Sequence, residues 1–297
     1  SVLLNEVVEF LRAKEGGMFL DCTLGGGGHS QAILAAHPEN KVLALDRDSI
    51  AIERAEDKFK KTHRIEFIKS NFSNVKKSAA GRKFNGILAD LGMSTDQLMG
   101  ARGFSFDDTG PLDMRMDSEH SVSANTVINE YSERDLFIAF KKGGVGNDAK
   151  NIARAIVNQR PINSSKVLAG IIREKSRVAK GDRFKDPATV VFQAIRIEVN
   201  GEFKEIETLL NTAPELLVNG SRLVIISFHS LEDKLVTRRF REWQAGDTAP
   251  AWMSAGAQKK TGLGKLLTSK AIVPSKAEIL ENPASRSALL RVFEFHD

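Results

Sequence analysis

At 297 residues the chain is long enough for one large domain or two, and a hydrophobic fraction of 41% is ample for a packed core. A single cysteine, Cys22, excludes an internal disulfide framework and fits a reducing cytoplasm. No apolar run reaches 18 residues, so no membrane span is expected, and a net charge of +5 is modest for a protein that grips nucleic acid.

No signal peptide is visible, and Ser1 in place of an initiating Met points to a trimmed beginning. The first clear element is the apolar segment Met18-Phe19-Leu20, which runs into Asp21-Cys22-Thr23-Leu24-Gly25-Gly26-Gly27-Gly28-His29-Ser30 and then a helix-like stretch from Gln31 to Ala36. That order is strand, glycine turn, helix. Glycines let the backbone turn tightly and approach a ligand without a Cβ in the way. The helix start offers unpaired N–H groups. A second strand, Val42 to Leu45, ends in Asp46, about 20 residues after the turn, where an acid grips a ribose diol. A nucleoside-containing cofactor is therefore expected, although a glycine turn without a ligand is the competing reading. The glycines are contiguous rather than spaced G-x-G-x-x-G, and an acid stands four residues before Gly25. This suits S-adenosylmethionine, whose ammonium Asp21 could accept.

A helix follows over Ile50 to Lys60, capped by Asp48 or Ser49. Ile65-Glu66-Phe67-Ile68 reads as a third strand leading to Ser70-Asn71-Phe72. Gly86 to Ala89 reads as a buried fourth strand ending in Asp90. This alternation predicts a mostly parallel α/β sheet with right-handed crossovers. Residues 104–120 are loop-like. From 123 to 204 the signals are helical only: Asn129 to Phe140, Ala149 to Asn158, Lys166 to Arg177 and Thr189 to Asn200. A helix at Phe203 to Val218 then leads into a fifth strand, Arg222 to Ser227. Asp247 to Lys265 reads as a mobile loop, and Ala271-Ile272-Val273 with Leu289 to Phe295 as a terminal antiparallel pair. The expected division is 1–104 with 205–297 for the sheet domain, and 105–204 for an all-helical insert. Residues 134–185 carry thirteen Lys or Arg against four acids, a local excess of +9 that leaves the rest of the chain at −4. Such a block is the footprint of phosphate contact or a solvated helical face. Asp21, Asp46, Phe72, Asp90 and His229 all fall just past strand ends, so separate signals converge on one crevice.

Several blocks now match one family. They are Asp21 to Ser30, Asp90-Leu-Gly-Met-Ser-Thr-Asp-Gln97, Arg102-Gly-Phe-Ser-Phe106, Pro111 to Asp117, Pro187-Ala-Thr through Asn200, Ser227-Phe-His-Ser-Leu-Glu-Asp233 and Asn282-Pro to Arg291. Over nearly its whole length the chain resembles the bacterial 16S ribosomal RNA cytosine-N(4) methyltransferases, the RsmH or MraW family. The resemblance implies a Rossmann-like methyltransferase sheet with a helical insert that recognises RNA. It implies S-adenosylmethionine as cofactor and a cytidine in the P site of 16S rRNA, within the small ribosomal subunit, as substrate. Carried over by position, the cofactor residues would be Gly27, Gly28, His29, Asp46, Phe72 beside the adenine, Asp90 and Gln97. Read without the family, Phe72 is as well a core residue and Gln97 an exposed helix residue. No metal is expected, and a homodimer is left open.

The chain also departs from the family. Gly144-Val145-Gly146 stands where Gly-Glu-Glu is usual, Met93 and Thr95-Asp96 where Val and Ser-Pro are usual, the Asn282 block lacks one Arg and one Lys, and no His-x-Pro precedes Val2. The exocyclic amine of cytosine is a poor nucleophile, because its lone pair is delocalised into the ring, so positioning and an oriented proton acceptor are required. Asp90 is the first candidate for that acceptor, or it holds the cofactor. Asp113 and His229 are further candidates, though a His after a buried strand also serves as scaffold. Phe104, Phe106 and Arg115, ahead of the insert, suit a base splayed from its stack. Two other functions compete. A DNA amino-methyltransferase would carry Asp/Asn-Pro-Pro-Tyr where Asp90-Leu-Gly-Met stands, and a non-catalytic ribosome-assembly factor would lack the intact cofactor set.

Overall fold

The computed structural model describes residues 1–92, 103–106, 110–117, 120–176, 186–246 and 261–296. The chain divides into two compact units, Ser1–Gly92 with Phe203–Asp297, and Met93–Glu202. Strands in chain order are β1 (Met18–Asp21), β2 (Lys41–Asp46), β3 (Ile65–Lys69), β4 (Phe84–Asp90), β5 (Leu217–Ser227), β6 (Gly264–Leu266) and β7 (Leu289–Phe295). The described helices are α1 (Leu4–Phe10), α2 (Gly28–Ala36), α3 (Ser49–Phe59), α4 (Val75–Ala79), α5 (Ala124–Glu130), α6 (Glu133–Lys142), α7 (Ala149–Asn158), α8 (Ser165–Lys175), α9 (Pro187–Asn200), α10 (Glu202–Leu216), α11 (Ser230–Ala245) and α12 (Lys276–Glu281). No described helix is long and apolar enough to cross a membrane.

The strands form one sheet in the order β3-β2-β1-β4-β5-β7-β6. β1 to β5 run parallel, and β7 is antiparallel to both of its neighbours. Side chains alternate faces with a period of two. Leu20, Leu43, Leu45, Ile87 and Ile225 therefore face one way, packed with residues of α4, α10 and α11. Phe19, Val42, Ala44, Leu88 and Val224 face the other way, packed with α1, α2 and α3. Both faces are covered, which is why the strands read as continuous apolar runs. The chain builds outward from β1 to β3, then returns to β4 on the other side of β1. The carboxyl ends of β1 and β4 thus flank the point where strand order reverses, the usual ligand crevice of such sheets.

The second unit has its own core. Leu136, Phe140, Ile152, Ile156, Leu168, Ile172, Val191 and Ile195 from α6 to α9 are buried together. Ala149–Asn158 is a helix over the expected residues. The stretch read as one helix from Asn129 to Phe140 is two, because Tyr131 is extended and Ser132 caps α6, its hydroxyl accepting the Asp135 N–H at 3.1 Å. A capping signal inside an unbroken apolar period won over the period.

Two further expectations are corrected. Ile272 makes only an isolated bridge to Leu290, and the edge partner of β7 is instead β6. A Cβ at Gly264 would lie 2.0 Å from the Glu294 carbonyl oxygen, so glycine is what lets that short strand approach. β6 also ends the polar stretch read as a loop from Asp247 to Lys265, of which 247–260 lie outside the described residues. The strand β5 begins at Leu217, inside the span read as the end of a helix. The N-terminal helix α1 was not expected. Leu3, Val7 and Leu11 are buried at four-residue spacing, and Arg12 and Arg222 both bond Glu294, at 2.9 and 2.8 Å, fastening this segment to β5 and β7.

Candidate active site

The site grows from the carboxylates that end β1, β2 and β4. Each strand is an apolar run that ends at an acid, and each acid accepts at least one backbone N–H. At β1, the Asp21 carboxylate accepts the Thr23 N–H at 3.1 Å and the Ser30 hydroxyl at 2.7 Å. Asp21 is fully buried, and burial pushes its carboxyl above the ordinary value, with the nearby His29 opposing the shift. It therefore braces the turn against α2 from beneath. The expectation that it meets a ligand ammonium does not fit a side chain with no exposed surface.

At β2, one Asp46 oxygen accepts the Gly25 N–H at 2.8 Å and the other accepts the Asp48 N–H at 2.9 Å. Each oxygen keeps a lone pair, and the residue is partly exposed. Burial raises its carboxyl above the ordinary value, and the two backbone N–H groups work against that. A Cβ built on Gly25 or Gly26 would meet nothing within 4 Å, so the turn leaves open space beside Asp46. Gly25 and Gly27 have φ of +48° and +69°, which glycine adopts without strain. A Cβ at Gly27 would press 2.8 Å against the Phe59 ring, whereas one at Gly28 would meet only the flexible Ser1 side chain. Gly27 is the N-cap of α2, whose first N–H groups have no side-chain cap.

At β4, the Asp90 N–H donates to Thr23 Oγ1 at 2.7 Å, tying the first turn to the fourth strand. One Asp90 oxygen accepts the Gly92 N–H at 3.1 Å, and the other stands 3.7 Å from His29 Nδ1. His29 Nε2 is 2.8 Å from the Val2 carbonyl oxygen, which can only accept, so Nε2 carries the proton and Nδ1 is the atom that faces Asp90. Burial raises the Asp90 carboxyl above its ordinary value, with His29 pulling it back. His29 and Asp90 are thus neighbours at the switch point, a link that the long separation between positions 29 and 90 hides in the sequence.

Phe72 opens a short 3-10 turn just after β3 and is half-buried against the core. Asn71, which caps that turn, bonds Glu205 of α10, and Arg47 bonds the same carboxylate at 3.4 Å. Glu205 fixes the ends of β2 and β3, and no local pattern marks it. His229 caps α11 in a capping box. Its Nδ1 accepts the Glu232 N–H at 3.3 Å, and Glu232 accepts the Phe228 N–H at 2.9 Å and the His229 N–H at 3.3 Å. With Nδ1 used as an acceptor, the neutral ring carries its proton on Nε2, which lies 3.2 Å from Glu232 Oε1.

A family model described as the MraW methylase family matches residues 1–296. The chain belongs to that family. Relatives named ribosomal RNA small subunit methyltransferase H align along nearly the whole length. The one from Synechococcus elongatus is 41% identical over 99% of this chain and 93% of its own. The one from Campylobacter fetus is 42% identical over 98% and 96%, and the one from Clostridioides difficile 41% over 99% and 97%. Among solved structures, an rRNA methylase from Streptococcus thermophilus aligns at 10% identity and TM-score 0.40 over 99% of this chain and 94% of that one, a likeness too distant to bear on function. Membership of a methylase family makes S-adenosylmethionine the cofactor, and the open glycine turn beside a partly exposed carboxylate fits a molecule that carries a ribose.

The remaining candidates lie in the second unit or outside the described residues, as Gln97 does. Asp113 is paired bidentately with Arg115, at 2.6 and 3.2 Å, so both are already engaged with each other. Phe104 and Phe106 are half-buried against the helical core, with the Phe106 ring edge-on to Phe192 at 4.9 Å and Arg173 5.9 Å above it.

The glycine turn makes a direct prediction for the protein without ligand. Gly27→Ala places a side chain in the left-handed region and against Phe59, and is expected to lower stability by about 1–2 kcal/mol. Gly26→Ala has open space and an ordinary φ, and is expected to stay within about 0.5 kcal/mol of the parent. Urea unfolding of both variants checks this; equal midpoints would contradict the turn geometry.

Proposed function

We propose that the chain methylates the exocyclic N(4) amine of a cytidine in the P-site region of 16S rRNA, taking the methyl group from S-adenosylmethionine. The observation that carries the reading is the His29–Asp90 pair at the switch point, in a chain whose relatives are named as small-subunit rRNA methyltransferases. The cofactor supplies a methyl group activated by its sulfonium charge. Asp46 would hold the ribose diol with its remaining lone pairs. The backbone of Gly27 and Gly28, with His29, would lie along the methionine end, Phe72 would face the adenine, and Gln97 would complete the set.

Asp90 would orient the amine by accepting its N–H, then take a proton as the nitrogen gains positive charge. A carboxyl raised by burial is better matched to that task near neutral pH than an ordinary aspartate. His29 Nδ1 faces the same carboxylate at 3.7 Å, while its Nε2 stays on the Val2 carbonyl. The helical unit would hold the RNA backbone. Of the thirteen basic residues over 134–185, Arg173 is paired with Asp186 and Lys175 with Glu174, whereas Lys141 and Lys142 are exposed at the end of α6.

The direct test supplies methyl-labelled cofactor and small ribosomal subunits from a strain lacking the gene, then isolates the P-site fragment of the RNA and digests it to nucleosides. Label in N(4)-methylcytidine at one P-site position is expected; label in another nucleoside overturns the reading. Asp46→Ala should weaken cofactor binding tenfold or more, since two charge-assisted hydrogen bonds of about 1.5–3 kcal/mol each are lost, and calorimetry measures it. Asp90→Asn should slow single-turnover methylation far more than it weakens cofactor binding. In the parent, the rate should rise with pH through a carboxyl value above that of an ordinary aspartate, because only the ionised form accepts the proton. Asp90→Asn should abolish that acidic limb. A limb that survives the substitution would assign the proton to another group.

A further inference from the structure

A second charged feature lies in the same unit as the sheet, along α11. The helix α11 leaves the end of β5 and runs along an open cleft of about 600 Å3. Lys234, Arg238 and Arg241 line it at spacings of four and three residues, which is one helical face. All three side chains reach solvent. Lys234 and Arg241 make no ion pair among the described residues. Arg238 is 3.8 Å from Glu242, which is closer to Arg239 at 3.2 Å, and exposed pairs of this kind are weak and easily exchanged.

The same cleft is lined by a fixed guanidinium. Arg291 of β7 is buried, with Nε and Nη2 on the Asp233 carboxylate at 2.7 and 3.0 Å and Nη1 on the Thr268 and Ser269 carbonyls at 3.0 and 3.2 Å. Four of its five N–H donors are thereby used, and the guanidinium is fixed before any ligand arrives. Thr237, whose buried hydroxyl has no hydrogen-bond partner among the described residues, lies in the same lining. Asp233 is neutralised by Arg291 and Glu242 is shared by two arginines, so the face the cleft offers is cationic. Charge lining a concave surface concentrates a polyanion there.

We propose that this cleft is a binding subsite for the phosphodiester backbone of the RNA substrate, with Lys234, Arg238 and Arg241 as the residues that hold it. The inference rests on the RNA-methylating reading above and adds an anchoring surface distinct from the helical insert. As a backbone subsite it positions the strand and carries no base specificity, because contacts to phosphate hold no sequence information.

The test is a double charge reversal, Lys234→Glu with Arg241→Glu, at surface positions that the core does not need. Affinity for a labelled small-subunit rRNA fragment containing the P-site cytidine is measured across a salt series. The reversal should weaken binding tenfold or more at moderate salt and flatten the slope of log affinity against log salt by about 0.7 for each phosphate no longer neutralised. Cofactor affinity and the unfolding midpoint should match the parent. The charge-preserving pair Lys234→Arg with Arg241→Lys should keep the parent slope. If the parent binds and methylates the fragment while the reversal leaves affinity and slope unchanged, the subsite is overturned and the methylating function stands. If the parent itself neither binds nor methylates the fragment, both readings fall.

Discussion

The hydrogen bond from the Gly25 N–H to Asp46 sets the geometry on which the rest of the site depends. It joins the turn after β1 to the end of β2, with Gly25 at φ +48°, a conformation glycine holds without strain. The same device recurs on either side, where Asp21 accepts from Thr23, and Thr23 in turn accepts from the Asp90 N–H. Three strand ends are thereby locked to one another by side chains acting on backbone, with no flexible side chain spanning a gap. The constraint has an electrostatic cost. Carboxylates drawn together and partly stripped of water are harder to ionise, and all three are shifted upward by burial. His29, placed between Asp21 and Asp90, offsets part of that cost, and its position is in turn set by the Val2 carbonyl.

The sheet and its strand ends were legible because parallel strands buried on both faces leave short apolar runs, and an acid that stops such a run marks the end of the strand. Asp46 and Asp90 could be found this way. What escaped depends on tertiary packing or on competing local signals. The spacing of Leu3, Val7 and Leu11 was present in the sequence, but it is too short a pattern to stand out beside the glycine turn. Ser132 interrupts a helix whose apolar period continues across it. Glu205 acts on Arg47 and Asn71, residues more than 130 positions away. Phe104 and Phe106 sit in a stretch rich in Asp and Gly that reads as exposed, yet their rings lie against helical core residues such as Phe192.

His229 illustrates how a hydrogen bond decides between roles that a sequence leaves open. A histidine after a buried strand can be a base or a cap, and the choice turns on which nitrogen is already occupied. Here the capping box consumes Nδ1, and Glu232 closes the box from the other side. Asp233, the next acid along, is claimed by Arg291. The first turn of α11 is thus spent on holding the helix to the sheet, which leaves its later turns free to present cations.

The place of β7 bears on how the molecule is made. It lies between β5 and β6, packs Phe293 and Phe295 against Phe240 and Trp243 with ring centres 5.2 to 5.4 Å apart, and carries the Glu294 that holds Arg12 of the N-terminal segment. All of this is supplied by residues 289–295, which leave the ribosome after every other strand of the sheet. Until they emerge, β5 has a bare edge, β6 has no partner, and the first helix lacks its tether across the sheet. Such far-separated pairings close late and slowly. The growing chain therefore carries an exposed strand edge that could pair wrongly with its neighbours, and a protein read as a modifier of ribosomes can complete its own sheet only after every other strand has left one.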